Sequence, residues 1–180
     1  VRKILEKGGF EDVVFEPVAM GTPVEKLIKP YVIREYAGIQ KAPEKETLNL
    51  LDSFKILSAH HSGEYGTLQI NHVCEKILRS MGNFDIQNRL LTKIIMVTAN
   101  DYQKKLFNGD TGFTRMSEGK ATTTFPSFEG KARRFRAADL PEHEPAFCIT
   151  VHKSQGSEFG TVLLIIPDYL SPVITRRLLY

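Results

Sequence analysis

Apolar and polar positions along the chain change rhythm near residue 91. Before that point the repeat is helical or that of a buried strand. Leu27, Ile28, Tyr31 and Val32 form one apolar stripe behind Thr22-Pro23-Val24-Glu25, a string that predicts a capping box with proline at the first helical position. Pro30 falls inside the stripe and predicts a kink, because it has no N–H to donate and crowds the preceding turn. Tyr31 and Tyr36 read as packing residues. A helix is expected over 44–53, burying Leu48 and Leu51, and then a strand over 54–59. Val73, Ile77 and Met81 recur at i, i+4 and i+8 with Gly82 behind them, which predicts a helix over 68–81. Weaker signals precede these: a short helix over 2–7 stopped by Gly8-Gly9, and a strand at Val13-Val14-Phe15. Strand, helix, strand, helix implies a mainly parallel sheet.

From Ile94 to Phe135 the runs are short and are broken at Asn108-Gly109, Glu118-Gly119 and Glu129-Gly130. Turn signals about ten residues apart mark a small all-β unit. The continuous pattern then returns. Phe147-Cys148-Ile149 and Thr161-Val162-Leu163-Leu164-Ile165-Ile166-Pro167 each read as a strand covered on both faces, as in the parallel sheets of α/β proteins. The expected division is therefore 1–91 as the first part of an α/β domain, 92–139 as a β insertion, and 140–180 as the return to the host.

Composition leaves this picture intact. The 180 residues are 42% hydrophobic and 25% charged, the mix of a packed domain. No apolar run reaches the roughly 20 residues that a membrane helix needs, and no signal-peptide core follows Val1-Arg2-Lys3; a cytoplasmic location is expected. Cys74 and Cys148 lie in apolar contexts and read as buried free thiols. A net charge of +3 does not argue for nucleic acid unless the charge is clustered.

One cluster is Lys131-Ala132-Arg133-Arg134-Phe135-Arg136, whose arginines either line a groove for phosphates or cover a solvated strand face. Phe125 and Phe128 either stack on bases or fill the core, with core the better fit. His60 and His61 are adjacent, so on a strand they point to opposite faces and do not chelate one ion. No metal site is expected.

The chemistry-bearing string is Thr150-Val151-His152-Lys153-Ser154-Gln155-Gly156-Ser157-Glu158-Phe159. It lies between the two apolar runs, where a strand would end and where α/β sheets place their sites. Period two puts Thr150 and His152 on one strand face. Gly156 allows close approach of a phosphate or a backbone, and Lys153 and Glu158 bring opposite charges.

This string closely resembles motif V of superfamily-one DNA helicases, in the form carried by RecD, the alpha subunit of exodeoxyribonuclease V. The resemblance continues through Asn100-Asp101-Tyr102 and Phe107-Asn108-Gly109-Asp110-Thr111-Gly112, through Leu140-Pro141-Glu142-His143-Glu144, through Phe54–Ala59 with Gly63-Glu64-Tyr65-Gly66 and Asn71, and through Pro172–Tyr180 as the lead-in to motif VI. It covers 48–180 well and 1–47 only vaguely. It implies a RecA-like, mainly parallel sheet with helices on both faces, carrying a small SH3-like β insertion. Thr150, His152 and Lys153 would contact the DNA backbone, with Arg133, Arg134 and Arg136 of the insertion beside the strand. Gln155, Gly156 and Glu158 would face the nucleotide. His61 stands where the family usually places an arginine aimed at the γ-phosphate, which puts that contact in doubt.

No G-x-x-x-x-G-K-[ST] occurs in these residues, and no Asp-Glu strand end that would hold Mg²⁺. The expectation is a C-terminal fragment of a helicase with no catalytic residue of its own and inactive alone. The full-length enzyme would use ATP and Mg²⁺ and act on single-stranded DNA, with RecB- and RecC-like subunits as possible partners. The alternative is a non-catalytic nucleic-acid-binding module with vestigial helicase surfaces. A stand-alone hydrolase lacks a nucleophile with a recognisable base.

Overall fold

A computed structural model describes residues 11–117, 119–127 and 131–167. The chain forms helix α1 (Val24–Tyr31), a π-helical turn (Val32–Tyr36), a 3₁₀ turn (Gly38–Gln40), α2 (Glu44–Leu51), strand β1 (Phe54–Ser58) and α3 (Thr67–Ser80). It continues into β2 (Thr92–Val97), β3 (Thr111–Ser117), β4 (Lys120–Phe125), β5 (Arg133–Arg136), β6 (His143–Pro145), β7 (Cys148–Thr150) and β8 (Thr161–Ile165). Two sheets result. One is parallel, in the order β7-β1-β8, and the other is antiparallel, in the order β5-β4-β3-β2-β6. The fold is mixed α/β.

Helices α2 and α3 and strand β1 lie within a residue or two of where periodicity puts them. Some other local readings need correction. Thr22 does not cap α1: its Oγ1 donates to the carbonyl of Ala19, and Pro23 precedes the helix without a side-chain cap. At Pro30, where a kink is expected, the helix is irregular and continues. The chain passes from α to π geometry just beyond this residue, a wider turn that accommodates the missing hydrogen bond. Val13 and Val14 are exposed and form no strand. Their β-branched side chains have no sheet edge to join, and strand propensity alone does not hold a strand. The helix expected over 2–7, Phe128, the Glu129-Gly130 turn and the segment 172–180 with Arg176 and Arg177 lie outside the described residues.

Strand β1 is buried at every position, as a central strand with a neighbour on each side and helices above it should be. The 161–167 run does not match its expectation. Among the described residues β8 pairs only with β1, and Val162 and Ile166 are 44% and 40% exposed. Apolar content predicted the strand, and its place at the edge among the described strands leaves these side chains open.

The main core gathers Ile28, Val32 and Tyr36 with Phe54, Ile56, Ile70, Ile77 and Phe147. Tyr36 is buried between Phe54 and Phe147 in edge-to-face contacts, and its hydroxyl donates to the Phe147 carbonyl at 2.8 Å. Burial pushes its hydroxyl pKa up. Alternation along β2 sends Ile94 and Met96 into this core, while Ile95 and Val97 join Leu106 and Phe125 in a small second cluster. The antiparallel sheet thus lays one face on the α/β host. Its hairpin β3–β4 turns at Gly119, where φ is +78°, a left-handed conformation that glycine adopts without strain.

Candidate functional site

The polar loop after β7 is built from the core outward. Asn71, a lone amide in the apolar stripe of α3, accepts from the Cys148 N–H at 2.9 Å and donates to the Cys148 carbonyl at 2.8 Å. It thereby fixes β7 against the helix through its backbone. Burial holds the Cys148 and Cys74 thiols protonated, pushing both pKa values up, and both cysteines are free.

Strand β7 ends at Thr150. The Val151 N–H still reaches the Ser58 carbonyl, but the Ser154 N–H then turns back to the Thr150 carbonyl and the Lys153 N–H to Thr150 Oγ1. Ser154 Oγ closes the turn onto the Val151 carbonyl at 2.8 Å. Thr150 and His152 therefore do not share a strand face. Period-two alternation ceases where the turn begins, so Thr150 braces the turn from below and His152 sits exposed on it. Gly156 follows with φ +85° and open space where a Cβ would stand. Gly160 brings the chain back so close to β1 that a Cβ there would meet the Ser53 carbonyl oxygen at 3.0 Å.

His152, Lys153, Gln155, Gly156 and Ser157 line one wall of a polar cleft of about 360 Å³. Met96, Asn108 and Gly109 of the antiparallel sheet line the other. The opposite wall was not read as part of the site from sequence. Asn108-Gly109 was legible as a turn, but a turn signal does not say what the turn faces. Thr150 and Glu158 lie outside the lining of this cleft. Gln155 and Gly156, assigned by sequence to the nucleotide side, share it with His152. Lys153 is ion-paired to Glu144 of β6 at 2.8 Å, so its ammonium ties the loop to the antiparallel sheet.

The arginines of β5 are engaged one by one and are not gathered at the cleft. Arg134 forms a two-pronged pair with Glu44 at the start of α2, and that hydrogen bonding lowers the Glu44 pKa. Arg136 pairs with Asp139. Arg133 donates to the carbonyls of Pro126 and Lys105 and lies 3.4 Å from Asp110. His61 Nδ1 is 3.1 Å from Thr67 Oγ1 at the start of α3.

Lys55 lies under the site and was read from sequence only as part of a buried strand. It is 1% exposed, donates to the Ala146 carbonyl at 3.0 Å and sits over the Phe159 ring. Burial lowers its pKa from 10.5 to about 8. A lysine inside an apolar strand run is the signal that marks it.

Residues 145–180 match the UvrD-like helicase C-terminal domain family. The chain is 31% identical to the RecD subunit of the RecBCD enzyme of Mycolicibacterium smegmatis over 88% of its own length and 28% of that protein's. It is 33% identical to the Haemophilus influenzae RecD subunit over 72% of its length and 19% of that protein's. The chain thus spans well under a third of these relatives. A solved Pif1 helicase from Bacteroides, in complex with ADP-AlF3 and ssDNA, aligns with 13% identity and a TM-score of 0.44, over 89% of this chain and 47% of that one.

Proposed function

We propose that this chain, RecD-like over most of its length, supplies the second motor domain of an ATP-dependent superfamily-one DNA helicase or translocase. In this reading 1–91 and 140–180 form the RecA-like domain, and 92–139 form an SH3-like insertion beside the DNA. The observation that carries it is the polar cleft between the loop after β7 and the Phe107–Asp110 turn, because a motif V string sits on one wall and a second sheet faces it. His152 is the exposed contact for a phosphate of single-stranded DNA, with Thr150 holding the turn beneath it. Lys153 contributes to DNA only by leaving Glu144. Arg133, Arg134 and Arg136 are salt-bridged, so a phosphate has to compete with a carboxylate for each.

On the nucleotide side, Gly156 leaves room for close approach, and Gln155 and Glu158 are exposed beside it. Bound ATP supplies the free energy of hydrolysis for translocation. These residues would bind and orient one edge of it, with Glu158 accepting from a ribose hydroxyl. The groups here do not fit Mg²⁺: among the described residues no cluster of three His, Cys, Asp or Glu is placed to hold a metal. Mg²⁺ and the phosphate cradle belong to another domain, and the chain alone is expected to be inactive. RecB- and RecC-like subunits are candidate partners of the whole protein.

The test is a pair of variants in the full-length protein. His152→Ala is expected to weaken single-stranded DNA binding with nucleotide affinity nearly unchanged. Glu158→Gln is expected to raise the KM for ATP by roughly ten- to hundredfold, the worth of one charge-assisted hydrogen bond. DNA binding lost in Glu158→Gln alone would reverse the assignment, and steady-state ATP hydrolysis by the 180-residue chain would refute the division of labour.

A further inference from the structure

The loop joining β2 to β3 is tied down at almost every residue. Asp101 and Leu106 exchange backbone hydrogen bonds of 2.7 and 3.0 Å. Asp101 Oδ1 accepts from the Lys104 N–H, Asn100 Oδ1 from the Asn108 N–H and Asp110 Oδ2 from the Phe107 N–H. Arg133 reaches across from β5 to the Lys105 carbonyl. Leu106 is fully buried in the second cluster, and Lys105 is held at φ +53°, a conformation that a residue with a side chain keeps only when its surroundings enforce it.

What this bracing holds out into solvent is aromatic. Tyr102 is 76% exposed and Phe107 45%, with ring centroids 6.0 Å apart at an interplanar angle of 73°. An unbraced loop would fold such rings inward, since exposed apolar surface is unfavourable. The Phe107 backbone runs directly into Asn108 and Gly109, which line the cleft opposite His152 and Gln155.

We infer that Tyr102, in edge-to-face contact with Phe107, is a stacking platform for a base of single-stranded nucleic acid, on the loop whose residues Asn108 and Gly109 line this cleft. This deepens the DNA-binding reading and rests on it. A flat π-face on a braced loop that leads into a polar cleft suits any base and specifies none. Exposed Lys105 on the same loop adds positive charge for the strand. The apolar area is a pair of rings, far below what a stable protein–protein interface buries, so a base fits the site better than a protein does. Arg133 gains a role here as the brace of the platform, one that needs no phosphate contact.

The test uses the full-length protein, single-stranded DNA and a strand of equal length made largely abasic, titrated by fluorescence anisotropy. Tyr102→Ala is expected to weaken binding to the normal strand by roughly five- to hundredfold, to leave the abasic strand unaffected, and to keep the salt slope, because stacking releases no counterions. Tyr102→Phe is expected to bind like the parent. Equal losses on both strands would mean that the loop had collapsed, and would overturn the platform. Unchanged binding of the normal strand by Tyr102→Ala would overturn it while leaving the wider reading standing, as would a loss confined to self-association. A parent protein that binds neither strand would overturn both.

Discussion

The two sheets are held by different forces. In the parallel sheet, β1 is buried throughout, and most contacts around it are apolar: Phe54, Ile56 and Phe147 pack around Tyr36, with Ile70 and Ile77 of α3 above, while Tyr36, Lys55 and Asn71 bond backbone groups. Among the described residues the antiparallel sheet has a small cluster of its own around Ile95, Val97, Leu106 and Phe125. It is joined to its host by the apolar face of β2 and by polar side chains. Gln40 both donates to and accepts from the backbone of Thr92. Arg115 bonds the Ile39 carbonyl, Thr47 and Thr92. Arg134 and Thr124 meet on Glu44. The first sheet lies at the centre of the main core, to which the second contributes Ile94, Met96 and Phe113. The second takes much of its stability from contacts with the first, and its position over the cleft depends on directional bonds.

The largest expected effect tests that dependence directly. Phe147→Ala empties the centre of the main core and should cost about 3–5 kcal/mol, read from the urea midpoint. Amides of β3 and β4 should lose protection together with those of β1, because Ile94, Met96 and Phe113 share that core. Protection surviving in β3 and β4 after β1 has opened would show two independent units.

Lys55 gives the next effect, and it belongs to the parallel sheet alone. Its folded-state pKa is about 8 against 10.5, so the folded amine takes up a proton less readily than the unfolded one. The penalty is full below about pH 8 and is relieved as pH rises from 8 to 10.5, worth roughly 3 kcal/mol at most for that difference of 10.5 − 8. Cys74, Cys148 and Tyr36, with pKa values raised by burial, work in the opposite sense at alkaline pH. The readout is therefore the stability of the parent minus that of Lys55→Met. This difference should be flat below pH 8 and climb above it. A flat difference up to pH 10.5 would show the amine to be better solvated than its burial implies.

Arg115→Met should cost roughly 1–3 kcal/mol, the range for leaving buried partners such as the Ile39 carbonyl unpaired. Hydrogen exchange should quicken in β2 and β3 more than in β1, and the reverse order would assign Arg115 to the host core. Arg134→Ala should have the smallest effect. Its pair with Glu44 is exposed and screened by solvent and salt, so the urea midpoint should barely move. A large shift would make that pair a structural clasp between the sheets.

Periodicity alone determined α2, β1 and α3 to within a residue or two, the turns at Asn108-Gly109 and Gly119, and the burial of Cys74 and Cys148. Each of these depends on neighbours close in the chain, which hydrophobic repeat and turn chemistry report directly. The polar string from Thr150 to Phe159 was legible for the same reason, as ten consecutive residues. Tertiary structure alone decided that Lys153 pairs with Glu144, that β8 is an edge strand among the described residues, that Lys55 is buried against the Phe159 ring, and that Asn108 faces His152. Arg134 and Glu44 are 90 positions apart, and no local rhythm links them. A repeat tells which side chains share a face, whereas the group across from that face is set by how the sheets pack. For a charged or polar side chain, that group decides whether it is a brace or a free contact.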